Sequence, residues 1–227
     1  LPKSVLTSES FLNNFTNELG YQQQTRYLKN VMGLWMINQI RDTLIKQGQH
    51  YSFFELEKLA MTSPPFAYMI DPDAQLFLEP GDMIERIKTY IKKTGQAEDI
   101  DLPSILRAVY EGLAFKYRMI IEDMESLMKK SIDRVKVIGG GNQSLLLNQF
   151  TAKLTNKTVI TGPVEASVVG NALIQMLANN DIHTIHEGHK LVAQSFESKK
   201  IETDAHDLYK DAYVSYIKHI VKKEELK

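Results

Sequence analysis

Arg134-Val135-Lys136-Val137-Ile138-Gly139-Gly140-Gly141-Asn142-Gln143-Ser144 is the stretch on which the fold turns. Its first five residues carry three β-branched side chains, so they read as a short strand. Three glycines follow at once, and a helix is predicted to begin near Ser144. Glycine has no Cβ and accepts positive φ, so such a turn lets backbone come close to a ligand. The helix start adds unpaired N–H groups and the positive end of the helix dipole, both of which favour anions. One reading is therefore a nucleotide site. The other is a tight strand-to-helix turn with no ligand, and the stretch alone supports both equally.

Working outward toward the C-terminus, Thr158-Val159-Ile160 reads as a second short strand and Thr161-Gly162-Pro163 as a turn. Glu165 is predicted to open a helix through about Leu177, with two more helices near 187–196 and 206–222. Toward the N-terminus, Asp101 is a plausible N-cap with Pro103 tolerated in the first turn. The apolar positions Ile105, Val109, Leu113, Tyr117, Ile120, Met124 and Leu127 then give a long one-faced helix. Another helix is expected from about Asp82 to Lys93, after a break at Pro64-Pro65 and a turn at Asp71-Pro72-Asp73. Ser52-Phe53-Phe54-Glu55 is a capping box that opens a helix to about Ala60. Leu28, Val31, Met32, Trp35 and Ile40 predict a helix from near Thr25 to Gly48, with Trp35 in the core. That would set Asn30 inside a helix beside its apolar stripe, where a polar side chain needs solvent or a partner. Residues 1–24 read as polar and irregular. Long helices followed by a late β–α–β–α unit make this an α/β domain.

The dinucleotide fingerprint is matched only as far as Gly139-x-Gly141, and no P-loop Gly-Lys-Ser/Thr occurs. His183, His186 and His189 form a ladder, but Gly188 interrupts it and no acidic or thiolate partner is implied. A solvated connection before a helix is the favoured reading there, and no metal site is expected. The 227 residues are 43% hydrophobic and 24% charged with a formal net charge of -1, so neither nucleic-acid nor membrane binding is suggested. Lys222-Lys223 reads as a solvated helix end. There are no cysteines, which excludes disulfides, thiolate metal sites and cysteine nucleophiles. No apolar run reaches the roughly 18 residues of a membrane span. The opening Leu1-Pro2-Lys3-Ser4 has no apolar signal-peptide core and no Met, and it is expected to start inside a longer gene product.

Several short motifs act together. They are Phe15-Thr16-Asn17-Glu18, Leu28 to Trp35, Ile138 to Gln143, Leu146-Leu147-Asn148-Gln149, Gly162 to Ser167, and Gly170-Asn171. In this order and at these intervals the chain resembles the C-terminal domain of the FGGY carbohydrate kinase family. The resemblance spans nearly the whole chain. It implies an actin-like ATPase architecture of ribonuclease-H-like domains, here the helix-rich C-terminal half as one domain over 1–227. It also implies a cytoplasmic enzyme that transfers the γ-phosphoryl group of ATP, with Mg²⁺, to the sugar L-rhamnulose. Residue by residue, Gly140 matches an ATP-contacting glycine, with Gly139 and Gly141 shaping its turn. Asn38 stands where such kinases carry a glutamine, and Ser144 where an asparagine is usual near the nucleotide. Asn30 matches a sugar-contacting asparagine.

The resemblance further implies that the N-terminal sugar-binding domain, its catalytic aspartate and the first strands of this domain lie outside the chain. No catalytic base is assigned within it, and the polypeptide is expected to be inactive alone. A non-catalytic actin-like nucleotide-binding module and a kinase for another ketose stand as alternatives. The oligomeric state is not implied.

Overall fold

The computed structural model describes residues 1–202 and 207–221. The predicted helix end at Lys222 and Lys223 lies outside the described residues. The molecule is built around α5 (Leu102–Met128), a helix of 27 residues. Asp101 caps it by accepting from the Ser104 amide at 3.0 Å, and Pro103 sits in the first turn. From Ile105 to Phe115 this helix is buried on every side, which a surface helix never is. Packed around it in one apolar core are α2 (Trp35–Lys46), α3 (Phe53–Ala60), α4 (Met83–Lys93) and α6 (Leu145–Thr155). α9 (Asp207–Tyr216) closes the far side by stacking Tyr216 on Phe115, with ring centroids 4.7 Å apart.

Two buried polar ties hold the connection between α3 and α4 onto α5. Lys116 Nζ lies 3.1 Å from Asp71 Oδ1 and 3.1 Å from Asp73 Oδ2. Burial opposes the lysine charge, but the attraction of both carboxylates outweighs it and holds the pKa above the ordinary lysine value. Arg107 Nε donates to Glu111 at 2.7 Å, its Nη1 donates to the Ser63 carbonyl at 2.5 Å, and Glu111 accepts from the Phe66 amide at 2.9 Å. Each charge has a partner, as burial demands. Gly112 allows the same connection to approach, because a Cβ there would meet the Ile70 carbonyl oxygen at 2.9 Å.

The predicted β–α–β–α unit is present. β3 (Arg134–Val137) pairs in parallel with β4 (Thr158–Thr161), with Val135 opposite Val159, and α6 forms the crossover. A third strand, β5 (Lys200–Ile201), adds antiparallel to β4. It is too short to leave a periodic signal. Between β4 and β5 run α7 (Ala166–Ala178) and α8 (Ile185–Ser195), packed on each other through Leu173, Ile182 and the bare face of Gly188.

The first 34 residues depart from expectation. Residues 1–24 are not irregular: they hold α1 (Ser8–Leu12) and β1 (Thr16–Leu19). The helix predicted from Thr25 starts only at Trp35, and Thr25–Leu28 is instead β2, antiparallel to β1 with Asn17 opposite Tyr27. Thr25 and Tyr27 favour strand, and Tyr27 stacks on Phe15 at 4.9 Å, so cross-strand pairing prevails over the apolar spacing. Asn30 accordingly lies in the exposed connection between β2 and α2, not in a helix.

Candidate nucleotide site

The two glycine-containing turns meet at the C-terminal ends of the parallel strands, where α/β sheets place their ligands. Gly162 N donates to the Val137 carbonyl at 2.8 Å, and Gly139 N donates to the Pro163 carbonyl at 3.1 Å. The Asn142 side-chain amide donates to the Gly162 carbonyl. Asn148, buried in α6, donates to the carbonyls of Gly141 at 3.3 Å and Asn142 at 3.2 Å. The loop 139–143 winds as a single 3-10 turn before α6 begins.

The three consecutive glycines have different tasks. Gly139 has φ +75°, the left-handed region that glycine enters without penalty. A Cβ on Gly141 would make ordinary contact with Val137 at 3.6 Å. Gly140 has neither constraint: its φ is not positive, and a Cβ there would meet nothing within 4 Å. Gly140 also lines a cavity of about 470 Å³.

The cavity lies between α2, α3, α5 and the glycine turn. Leu34, Ile37 and Asn38 come from the start of α2, and Phe53, Phe54 and Glu57 from α3. Tyr110 forms part of the wall from α5, and Gly140, Gly141, Gln143, Ser144 and Leu145 line it from the turn. Mostly apolar walls with a few convergent polar groups are the usual make-up of a small-molecule site. Burial first, and the Glu57 charge second, push the Tyr110 phenol well above its ordinary pKa, so it stays a neutral hydroxyl. Ser144 caps α6 by accepting from the Leu147 amide at 3.4 Å, while its own hydroxyl donates to Glu57 at 2.6 Å. The other Glu57 oxygen accepts from the Leu146 amide at 3.3 Å.

Asn38, Gly140, Gly141 and Ser144 are thus brought to one cavity, from elements far apart in sequence. Gly139 shapes the turn beside it. Asn30 lines neither this cavity nor the adjoining hollow of about 540 Å³, which runs along β3 and α5. Its neighbours Lys29 and Val31 do line that hollow, and Gly141 borders both. Sequence reasoning missed Phe53, Phe54, Glu57, Tyr110 and Gln143 as site residues. The Phe53-Phe54 doublet was a usable signal, because two adjacent side chains of a short helix cannot both face the core.

Among the described residues no group of three or more His, Cys, Asp or Glu side chains is placed to hold a metal ion. His183, His186 and His189 are all exposed. The segment that carries them is a helix start, with Thr184 accepting from the Glu187 amide at 3.2 Å. No described helix is long and apolar enough to cross a membrane.

Known proteins are similar to this chain in sequence and in fold. The protein from Ligilactobacillus salivarius named rhamnulokinase is 38% identical over 189 residues, which is 83% of this chain and 38% of that protein. Rhamnulokinases of Enterococcus faecalis and Bacillus subtilis are each 34% identical over 95% and 86% of this chain, but over 44% and 40% of their own lengths. The chain therefore spans about two fifths of the length of these curated relatives. Among solved structures, Plasmodium falciparum glycerol kinase with ADP superposes with a TM-score of 0.65 at 13% identity, over 92% of this chain and 42% of that one. Xylulose kinase from Rhodospirillum rubrum superposes with a TM-score of 0.60 at 17% identity, over 82% of this chain and 37% of that one. The expected actin-like fold, helix-rich with a mixed sheet, is the one these structures share. The model of the C-terminal domain of the FGGY family of carbohydrate kinases matches residues 1–179, and to that family the chain belongs.

Proposed function

We propose that this chain is the nucleotide-binding part of an ATP-dependent, cytoplasmic sugar kinase that converts L-rhamnulose to L-rhamnulose 1-phosphate. The observation that carries it is the cavity beside Gly140, where an absent Cβ leaves the backbone open to a ligand. The curated relatives named rhamnulokinase support the choice of sugar.

In the transfer, a sugar hydroxyl oxygen bonds to the γ-phosphorus as the bond from that phosphorus to the bridging oxygen of ADP breaks. The hydroxyl proton passes to a base. Positioning and charge stabilisation supply most of the catalysis in such transfers, so separate parts of a protein can each hold one reactant. Here Gly139, Gly140 and Gly141 give ATP a close backbone surface, and Asn38 offers an amide able to donate and accept. Ser144 has committed its proton to Glu57, so it orders the site and leaves recognition to its neighbours. Asn30, exposed beside the second hollow, is the group proposed to meet the sugar. Mg²⁺ would be carried on the ATP phosphates. The base, and the domain that bears it, are proposed to lie outside these 227 residues.

Calorimetric titration with Mg-ADP tests the reading. Saturable binding is expected, weakened at least tenfold by Gly140→Val, which adds a side chain where bare backbone borders the cavity. Absence of binding by the folded chain would refute it. Turnover of L-rhamnulose and Mg-ATP is expected only when the rest of a full-length kinase is present. Turnover by this chain alone would overturn the proposed division of labour.

A further inference from the structure

We infer that α3 forms the base-recognition surface of the nucleotide site, with Phe53 and Phe54 as a stacking wall and Glu57 as the acceptor that meets the base edge. This rests on the nucleotide reading above and specifies it. Three observations converge. First, Phe53 and Phe54 are 47% and 62% exposed, although they are large apolar side chains, and both border the cavity. Burying them costs nothing in core packing, and a flat π-face left open beside a cavity is a platform for a planar ring. Arg41 sits 4.8 Å from the centroid of Phe53 and Lys58 sits 4.4 Å from that of Phe54. Each ring thus carries a cation over one face, which holds it in place and leaves only the other face for a ligand.

Second, Glu57 lies three and four residues beyond the two phenylalanines, so it neighbours each of them on the helix, and all three line the cavity. Third, the start of α6 in this cavity already has its anion. The Glu57 carboxylate accepts from the Leu146 amide and from the Ser144 hydroxyl. A phosphate would meet that negative charge, so this end suits the uncharged part of a nucleotide, with the phosphates directed along the glycine turn. Asn38 and Gln143 carry amides that can turn either way to suit a donor or an acceptor. Glu57 is acceptor-only, and each oxygen already holds one bond. Each oxygen keeps a second lone pair for a donor, such as the exocyclic amine of adenine, but has nothing to offer the carbonyl that takes the place of that amine in hypoxanthine.

The test compares Mg-ADP with Mg-IDP, which differ at the base edge alone, by calorimetry on the 227-residue chain. Wild type is expected to prefer ADP by about tenfold or more. Glu57→Gln, which can also donate, is expected to narrow that preference to roughly twofold to threefold, chiefly by improving IDP. Phe54→Ala is expected to weaken ADP roughly tenfold, as loss of one base stack does. Phe54→Trp is expected to retain affinity, and its indole emission should be quenched by ADP but not by inorganic pyrophosphate. ADP binding that survives Phe54→Ala unchanged, or equal ADP and IDP affinity in wild type, would overturn the inference while leaving the nucleotide reading standing. Failure of wild type to bind either nucleotide would remove both.

Discussion

Gly139 and Gly140 are neighbours of the same type, yet the structure asks different things of them. Valine at 139 must hold φ near +75°, a left-handed conformation that costs an L-residue about 1–2 kcal/mol. The Cβ of a valine at 140 meets no atom within 4 Å and no forbidden φ, so it should leave unfolding within about 0.5 kcal/mol of wild type. Denaturant unfolding should thus separate a stability lesion at 139 from a binding lesion at 140. Equal destabilisation by both substitutions would show that the space beside Gly140 is closed in solution. The run of glycines was plain in the sequence, but the difference between them was not. It depends on the backbone angle at 139 and on what stands opposite each missing Cβ, which is the Val164 carbonyl beside 139 and open space beside 140.

At the scale of elements, α5 decides how the helical layer is held. Alanine normally favours a helix by about 1 kcal/mol over glycine. At Gly112 the added methyl would press on the Ile70 carbonyl at 2.9 Å, and overpacking of that kind costs about 1–3 kcal/mol. Gly112→Ala should therefore lower stability, measurable as a reduced urea midpoint at unchanged m-value; a gain would mean that the 63–77 connection yields freely. Lys116→Met strands Asp71 and Asp73 against the helix and should cost about 3–5 kcal/mol. Capping signals made α3 and α5 legible: Ser52 and Asp101 each cap the helix they were expected to open, and Asp82, the expected start of α4, caps that helix in the structure. β2 was misread because Leu28, Val31, Met32 and Trp35 imitate a helical stripe. The pairing that defeats it comes from β1, and a single segment does not announce its partner.

For the molecule as a whole, Glu111 links stability to pH. Burial outweighs the help of Arg107 and raises its carboxyl from 4.5 to about 7. The folded state then binds more protons than the unfolded state between those values, so this residue's contribution falls as pH rises from about 4.5 to about 7 and is level above that. Glu111→Gln keeps an acceptor for Arg107 and removes the proton. Thermal unfolding followed across that range should lose this downward slope in the variant; an unchanged slope would place the titration elsewhere. Nucleotide acts on the same equilibrium. Mg-ADP at 100 times its wild-type Kd should add about 2.7 kcal/mol to wild type and no more than about 1.4 kcal/mol to Gly140→Val, read as a shift in melting temperature.

Local chemistry was sufficient for much of this protein. The strand–glycine–helix turn, the caps of the long helices and the parallel β3–α6–β4 unit all depend on residues close together in sequence, where backbone preference and side-chain spacing act directly. The site depended on tertiary packing. Asn38, Phe54, Glu57, Tyr110 and Gly140 share a cavity only because α2, α3 and α6 all dock on α5. The carboxylate of Glu57 becomes part of that site because burial beside α6 brings the Ser144 hydroxyl and Leu146 amide to it, across a separation no local pattern encodes.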